Sequence, residues 1–148
     1  MLTEAQRAFV DGARRAVLAT IALDGRPRPV PICFVLDVLR PILYTPLDEK
    51  PKELDNPRLL ARVLDIGRDP RVSVLVDRWD EDWSRLGWIR MTGAATLLEP
   101  EGADAEEHEI VVAMLRLRYE PYWEHDLETR PIIRVTIEQT TSWGAVGD

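Results

Sequence analysis

Apolar side chains recur at every second residue in several short segments of this chain, and this period constrains the fold more than any other feature. Between residues 71 and 79, for example, Val72, Val74 and Val76 alternate with less apolar neighbours. A period of two indicates an extended strand, whose successive side chains point to opposite faces. Strands are predicted over six segments: residues 15–23, 26–36, 42–44, 71–79, 88–98 and 131–139.

The prediction depends most on the segment from Pro29 to Lys52. Its first strand has apolar residues on both faces, which indicates that it is covered on both sides. Asp24-Gly25 is a tight-turn signal that makes this strand the second arm of a hairpin. Prolines at 27, 29 and 31 favour an edge strand, a bulge, or backbone left free to face a ligand. Gly93, inside the fifth strand, predicts a β-bulge.

Three helices are predicted between the strands. Thr3 and Gln6 form a capping box for the first helix. Asn56 followed by Pro57 begins the second, and Gly67 ends it. The third helix begins at Asp104 and ends at Leu117. The order of the segments predicts one domain over residues 1–148, mainly β (α+β), built as a small antiparallel barrel with flanking helices.

Composition narrows the possible partners. The chain has 148 residues and a net charge of -7, which argues against nucleic acid or an anionic membrane as the partner. A small anionic ligand held by a few local cations remains compatible with this charge. The N-terminus lacks the pattern of a signal peptide, no apolar run is long enough for a membrane span, and a single cysteine forms no internal disulfide. These features predict a cytoplasmic protein.

The sharpest candidate for a binding site is Lys50-Pro51-Lys52. Two solvated lysines in a loop are the ordinary interpretation of such a segment. Here, however, the lysines follow a buried hairpin, flank a residue with fixed φ, and precede a capped helix. This placement favours a phosphate site at the mouth of the barrel, to which Thr45 adds a hydroxyl donor.

Tryptophans and arginines supply a second group of candidates. The tryptophans at 79, 83 and 88 either pack in the core or at a subunit interface, or form a wall against a planar ring. Arg85 and Arg90 either reach an anion or pair with the acidic residues 80–82.

Side-chain catalysis has almost no signature in this sequence. His108 and His125 lie in acidic segments predicted to be exposed, no histidine pair has metal-ligand spacing, and Cys33 is predicted to be a buried structural thiol. No nucleophile elbow, P-loop or dinucleotide fingerprint is present. If the protein is an enzyme, a bound cofactor is therefore expected to carry the chemistry, and no catalytic or metal-binding side chain is assigned.

An ordered set of segments covering nearly the whole chain resembles the pyridoxamine 5'-phosphate oxidase-like split β-barrel proteins. Within them, the chain is similar to the small proteins expected to depend on the deazaflavin coenzyme F420. The matching segments are Val17-Leu-Ala-Thr, Asp24-Gly25-Arg26-Pro27, Pro31-Ile-Cys-Phe-Val, Tyr44-Thr, Lys50-Pro51-Lys52, Asp69 to Asp77, the run from Asp80 to Leu86, Arg130-Pro131-Ile132-Ile133 and Trp143.

The resemblance implies a six-stranded FMN-binding split barrel and a homodimer with two flavin-like cofactors in clefts between the subunits. It implies an oxidoreductase that transfers a hydride between F420 and a small organic substrate. The same fold binding FMN, or a non-catalytic cofactor-binding dimer, are the alternatives. The chain stops soon after Trp143 and lacks the arginine-rich extension of true pyridoxamine phosphate oxidases, which argues against vitamin B6 oxidation. The implied cofactor-binding residues are Lys50, Lys52, Pro51, Thr45, Tyr44, Val30, Pro31, Ile32, Arg58, Trp83, Trp88 and Trp143.

Overall fold

A computed structural model describes residues 1–47 and 56–147 as one curled antiparallel sheet with three α-helices. Within these residues the sheet has seven strands in the order β2-β1-β5-β6-β7-β4-β3. The elements along the chain are α1 (Glu4–Gly12), β1 (Ala16–Ile21), β2 (Pro27–Ile32), β3 (Val35–Leu36), β4 (Ile42–Pro46), α2 (Ala61–Arg68), β5 (Arg71–Arg78), β6 (Gly87–Leu98), α3 (Ala105–Arg118) and β7 (Ile132–Gly144).

The expectation of six strands is wrong because the segment predicted as one strand over residues 26–36 is broken in two. The break falls at Cys33 and Phe34, between β2, which pairs with β1, and β3, which pairs with β4. Tyr119 occupies the break: its hydroxyl accepts the Phe34 N–H at 3.1 Å and lies 3.1 Å from the Phe34 carbonyl oxygen. A side chain thus takes both backbone groups of Phe34 out of the sheet ladder.

The β1–β2 hairpin has the predicted turn. Gly25 adopts a φ of 85°, and the Ala22 N–H donates to the Arg26 carbonyl at 2.8 Å. β2 lies at an edge of the sheet, which accommodates its three prolines because an edge strand needs N–H donors on one side only. The expected cover on both faces is partial, since Ile32 is buried and Pro31 is exposed.

Gly93 lies at the predicted bulge. The β6–β7 register shifts between Thr92 and Gly93, which leaves Glu138 as the extra residue on β7. A Cβ atom at position 93 would collide with the backbone carbonyl of Thr136. The close approach of the two strands therefore requires glycine here.

Two apolar clusters make up the core. The larger one lies against one face of the sheet, and the smaller lies between the sheet and α3, around Tyr44, Leu115 and Tyr122. The prediction that His108 is exposed is wrong. Its side chain is buried near the N-terminal end of α3, and its Nε2 lies 2.6 Å from the Arg130 carbonyl oxygen. Cys33, predicted to be buried, is half-buried and packs against the smaller cluster.

The helix predicted to begin at Pro57 has a separate first turn. Asn56 caps a short 3-10 turn over Pro57–Leu59 by accepting the Arg58 N–H, and α2 itself begins at Ala61. Gly67 does not end α2, which continues to Arg68. No helix within residues 1–47 and 56–147 is long and apolar enough to cross a membrane.

Candidate functional site

The face of the sheet that points away from the larger core cluster carries apolar and aromatic side chains among its polar ones. On β1, β5 and β6 the buried residues alternate with partly exposed ones, so the second set shares the opposite face. Cross-strand pairing aligns these residues in rows. We call this surface the outer sheet face; it consists of Val17, Ala19, Ser73, Leu75, Asp77, Trp88, Arg90, Thr92, Gln139, Thr141 and Trp143.

Two of the three tryptophans assigned to the site come together on this face. Trp88 on β6 lies directly opposite Trp143 on β7, and Trp143 is 56% exposed. Trp83 lies elsewhere, in a 3-10 turn between β5 and β6, where it is 70% exposed. The Trp88–Trp143 pair places two aromatic side chains on neighbouring strands, and such side chains pack well against planar rings.

Arg90 lies beside this pair. Its guanidinium carbon is 5.5 Å from the centroid of the Trp88 ring, an arrangement typical of a cation–π contact. The acidic run 80–82 engages Arg85 instead, through a 3.4 Å contact with Asp80. The sequence allowed each of the two arginines to reach an anion or to pair with the acidic run. In the structure Arg85 pairs with Asp80, and Arg90 lies over Trp88.

A groove of about 390 Å³ continues the outer sheet face beyond Arg90. Thr92 and Ser73, neighbours across β5 and β6, form part of its floor. Glu138, the extra residue of the bulge, lines one side of it. The groove therefore combines hydroxyl groups with a carboxylate.

The residues predicted to lie along a cofactor ring occupy the edge strand β2. Val30 is half-buried, Pro31 is exposed and Ile32 is buried. Because β2 has a neighbour on one side only, its free edge leaves backbone groups available to a ligand.

The predicted phosphate site begins where β4 ends. Lys50, Pro51 and Lys52 lie outside the described residues. Thr45, near the end of β4, is buried. Arg130 donates to the carbonyl of Leu47 at 3.4 Å, so a cation also lies at this end of the strand.

Tyr44 has its side chain in the smaller core cluster. Its hydroxyl donates to Glu107 at 2.7 Å and accepts from Arg40 at 3.0 Å. Burial, together with the hydrogen bond to Glu107, raises the pKa of Tyr44. The phenol group is thus engaged within the protein, and β4 pairs with both β3 and β7 at Tyr44, so the residue offers no free group to a cofactor.

Arg58 is also engaged by the protein. Its Nη2 donates to Glu99 at 2.5 Å, and this bond raises the pKa of the guanidinium. Arg58 therefore has to exchange Glu99 for any cofactor anion that it binds.

Asp65 is a buried carboxylate that sequence reasoning missed. It accepts hydrogen bonds from Thr20 and Arg28 at 2.7 Å and from Arg68 at 2.8 Å. Burial alone would raise the pKa of Asp65, but the bonds from Arg28 and Thr20 outweigh it and the pKa is lowered. The only signal in the sequence was its position inside the apolar stripe of α2.

Solved structures with the same fold come from several bacteria. The chain is similar to the conserved hypothetical protein Rv2991 from Mycobacterium tuberculosis, with a TM-score of 0.75 and 23% identity over 98% of this chain and 86% of that chain. It is similar to a FAD-binding protein from Mesorhizobium loti, with a TM-score of 0.65 and 20% identity over 95% and 94%. It is also similar to HutZ, the heme storage protein from Vibrio cholerae, with a TM-score of 0.66 and 15% identity over 97% and 95%.

These likenesses establish the fold. The family follows from the sequence itself, because the profile described as pyridoxamine 5'-phosphate oxidase matches residues 2–144. The chain belongs to the pyridoxamine 5'-phosphate oxidase family.

Proposed function

We propose that this protein is an oxidoreductase that binds the deazaflavin F420 in a cleft between two identical subunits. The observation that carries this proposal is the outer sheet face, where Trp88 lies directly opposite Trp143, which is 56% exposed. A solvated strand face is normally polar, so two tryptophans on opposite residues of such a face are typical of a surface that a ligand or a partner covers.

The residues present fit a flavin-type group in two places. The free edge of β2 at Val30, Pro31 and Ile32 offers backbone groups to the rim of a planar ring. Trp88 and Trp143 would form an aromatic wall of the pocket that a second subunit completes around that ring. Trp83, on its exposed turn, would border the entrance.

Cations for the cofactor tail follow β4. In this proposal Lys50 and Lys52 hold the phosphate, with Pro51 fixing the backbone between them and Thr45 at the end of β4. Arg58 joins them on leaving Glu99, and Tyr44, in the core next to Thr45 on β4, supports the site without contacting the cofactor. F420 bears a more anionic tail than FMN, which is why three cations within nine residues favour it.

When bound, F420 supplies the hydride chemistry. The chain's own contribution is to bind the tail, orient the ring against the substrate and exclude water from the face between them. No side chain of the described residues is given a proton-transfer role.

FMN binding by the same fold is the second candidate, because the neighbour from Mesorhizobium loti is a FAD-binding protein. The histidines of this chain are less suited to bind heme, which HutZ stores. Nε2 of His108 lies on the Arg130 carbonyl, and Nδ1 of His125 is buried. A cofactor-binding dimer without turnover is the remaining alternative.

The test is a titration of the purified cofactor-free protein with FMN and with F420, followed by fluorescence. We expect F420 to bind more tightly, with an affinity that falls as salt is added. The Lys50→Ala/Lys52→Ala double variant should lose about a hundredfold or more, since charge-assisted contacts are each worth about 1.5–3 kcal/mol. Arg26→Ala, which removes an exposed cation at the β1–β2 turn, serves as the control.

Tight FMN binding with none for F420 at low ionic strength would refute the choice of cofactor. Unchanged affinity in a properly folded double variant would indicate that the two lysines are solvated loop residues.

A further inference from the structure

Within residues 1–47 and 56–147, Arg90 has no hydrogen bond or ion pair with another residue, although the chain is acidic. Three other arginines around the outer sheet face do have oxygen partners: Arg71 has Asp69, Arg85 has Asp80, and Arg78 has the carbonyls of Arg85 and Ala145. The guanidinium of Arg90 lies over the Trp88 ring instead. Asp77, opposite Trp88, is the nearest acid by register and does not pair with it.

The position of Arg90 makes it suitable for binding an anion. It lies between Leu75 on β5 and Thr141 on β7, in the row next to Trp88 and Trp143. Both flanking strands are inner strands of the sheet, so its backbone is fixed. Stacking on Trp88 restrains the guanidinium, which reduces the entropy lost when its planar fork engages an anion.

Arg90 lies at the other end of the sheet from the last residue of β4. β4 ends at Pro46, which pairs with Ile132, and Ile132 pairs with Leu98 at the far end of β6. Arg90 and Leu98 are eight residues apart on one strand, or about 26 Å at the usual rise. An anion bound at Arg90 is therefore far from the end of β4 in the same chain.

The surroundings select a singly charged group. Asp77 is one row away on one side, and Glu138 lines the groove on the other. Arg71 also lines the groove but is paired with Asp69, so two carboxylates surround one unpaired guanidinium and disfavour a dianion such as a phosphate monoester. A carboxylate matches the guanidinium fork in geometry and in charge.

We propose that Arg90 binds the carboxylate of an aromatic acid whose ring stacks on the Trp88–Trp143 pair. If the proposed function holds, such an acid is the class of substrate that reacts with the cofactor. Only this assignment as a substrate rests on the proposed function. The binding itself requires no cofactor and can be measured without one.

The experiment uses 2-naphthoate as the probe and 2-naphthamide as its uncharged analogue. Each is titrated by calorimetry into the cofactor-free protein and into Arg90→Gln, Arg90→Lys and Arg26→Gln. We expect wild type to bind naphthoate at least tenfold more tightly than naphthamide. Arg90→Gln should abolish this preference, Arg90→Lys should retain part of it, and Arg26→Gln, which changes an exposed arginine far from the face, should retain all of it.

Equal affinity for the two probes in wild type would overturn the proposal, as would a preference that survives Arg90→Gln. Failure of wild type to bind naphthoate, together with weaker self-association of Arg90→Gln, would overturn it too and assign Arg90 to a contact between copies of the chain. None of these results depends on whether F420 or FMN binds, so failure here and failure of the proposed cofactor remain distinguishable. Thermal unfolding of each variant checks that its fold is intact.

Discussion

Replacing Asp65 with asparagine tests how the α2 segment is attached to the hairpin that carries Val30–Ile32. The Asp65 side chain is fully buried, and its two oxygens accept from Thr20, Arg28 and Arg68. Asparagine has nearly the same shape but no charge, and its amide group turns an N–H donor toward one of the arginines. Two charge-assisted hydrogen bonds are therefore weakened or lost.

The expected loss follows from these contacts. A hydrogen bond to a charged group contributes about 1.5–3 kcal/mol, and breaking a fully buried ion pair costs about 3–5 kcal/mol. The side chains of Arg28 and Arg68 are 44% and 40% exposed, so water replaces part of what they lose. We expect the free energy of unfolding to fall by about 2–4 kcal/mol at pH 7, with about 2–4 °C in Tm for each kcal/mol.

The effect should depend on pH in a defined direction. The pKa of Asp65 is lowered in the folded protein, so its carboxylate stabilises the fold above its unfolded pKa of about 3.9. That contribution is lost as the pH falls through the lower, folded pKa. The difference in stability between wild type and Asp65→Asn should therefore be constant near neutrality and shrink below about pH 4.

The assay is urea unfolding followed by tryptophan fluorescence, at pH 7 and at steps down to pH 3. Asp24→Asn is the matched control, because the ion pair of Asp24 with Arg26 has both side chains more than 60% exposed and should contribute little to stability. Equal midpoints for Asp65→Asn and wild type at pH 7 would refute the reasoning, and so would a difference that stays constant into acid.

Two further predictions concern the sheet and the assembly. Tyr119→Phe removes the acceptor of the buried Phe34 N–H, so it should cost about 1–3 kcal/mol by urea unfolding and speed hydrogen exchange at the Phe34 amide; an unchanged exchange rate would count against the role given to Tyr119. Four tryptophans, at 79, 83, 123 and 143, are more than half exposed and should be covered in part by a second copy, so light scattering at micromolar concentration should give the mass of a dimer, and a monomer would remove the basis for a shared cleft.

Local signals in the sequence predicted the parts of the fold that depend on local chemistry. The Asp24-Gly25 turn, the capping box at Thr3 and Gln6, and the bulge at Gly93 are all present. Each results from neighbours within a few residues or from one strand pairing, so the pattern of residue types is sufficient to indicate it.

The features that were missed depend on residues distant in sequence. The break at Phe34 is made by Tyr119, 85 positions away, and the burial of His108 by the Arg130 carbonyl, 22 positions away. The acidic neighbours of His108 suggested exposure, yet on a helix they point to other sides. The Trp88–Trp143 pair likewise required the β6–β7 register, which no local signal specifies.

The strand order has a consequence for how the sheet is assembled. β7 is the last of the seven described strands along the chain, yet it lies inside the sheet, between β6 and β4. Until it is synthesised, β1, β2, β5 and β6 form one half-sheet and the β3–β4 hairpin has no neighbour to pair with. A chain interrupted before residue 132 would therefore not lose an edge; it would leave two unjoined pieces, each with strand edges exposed to other chains.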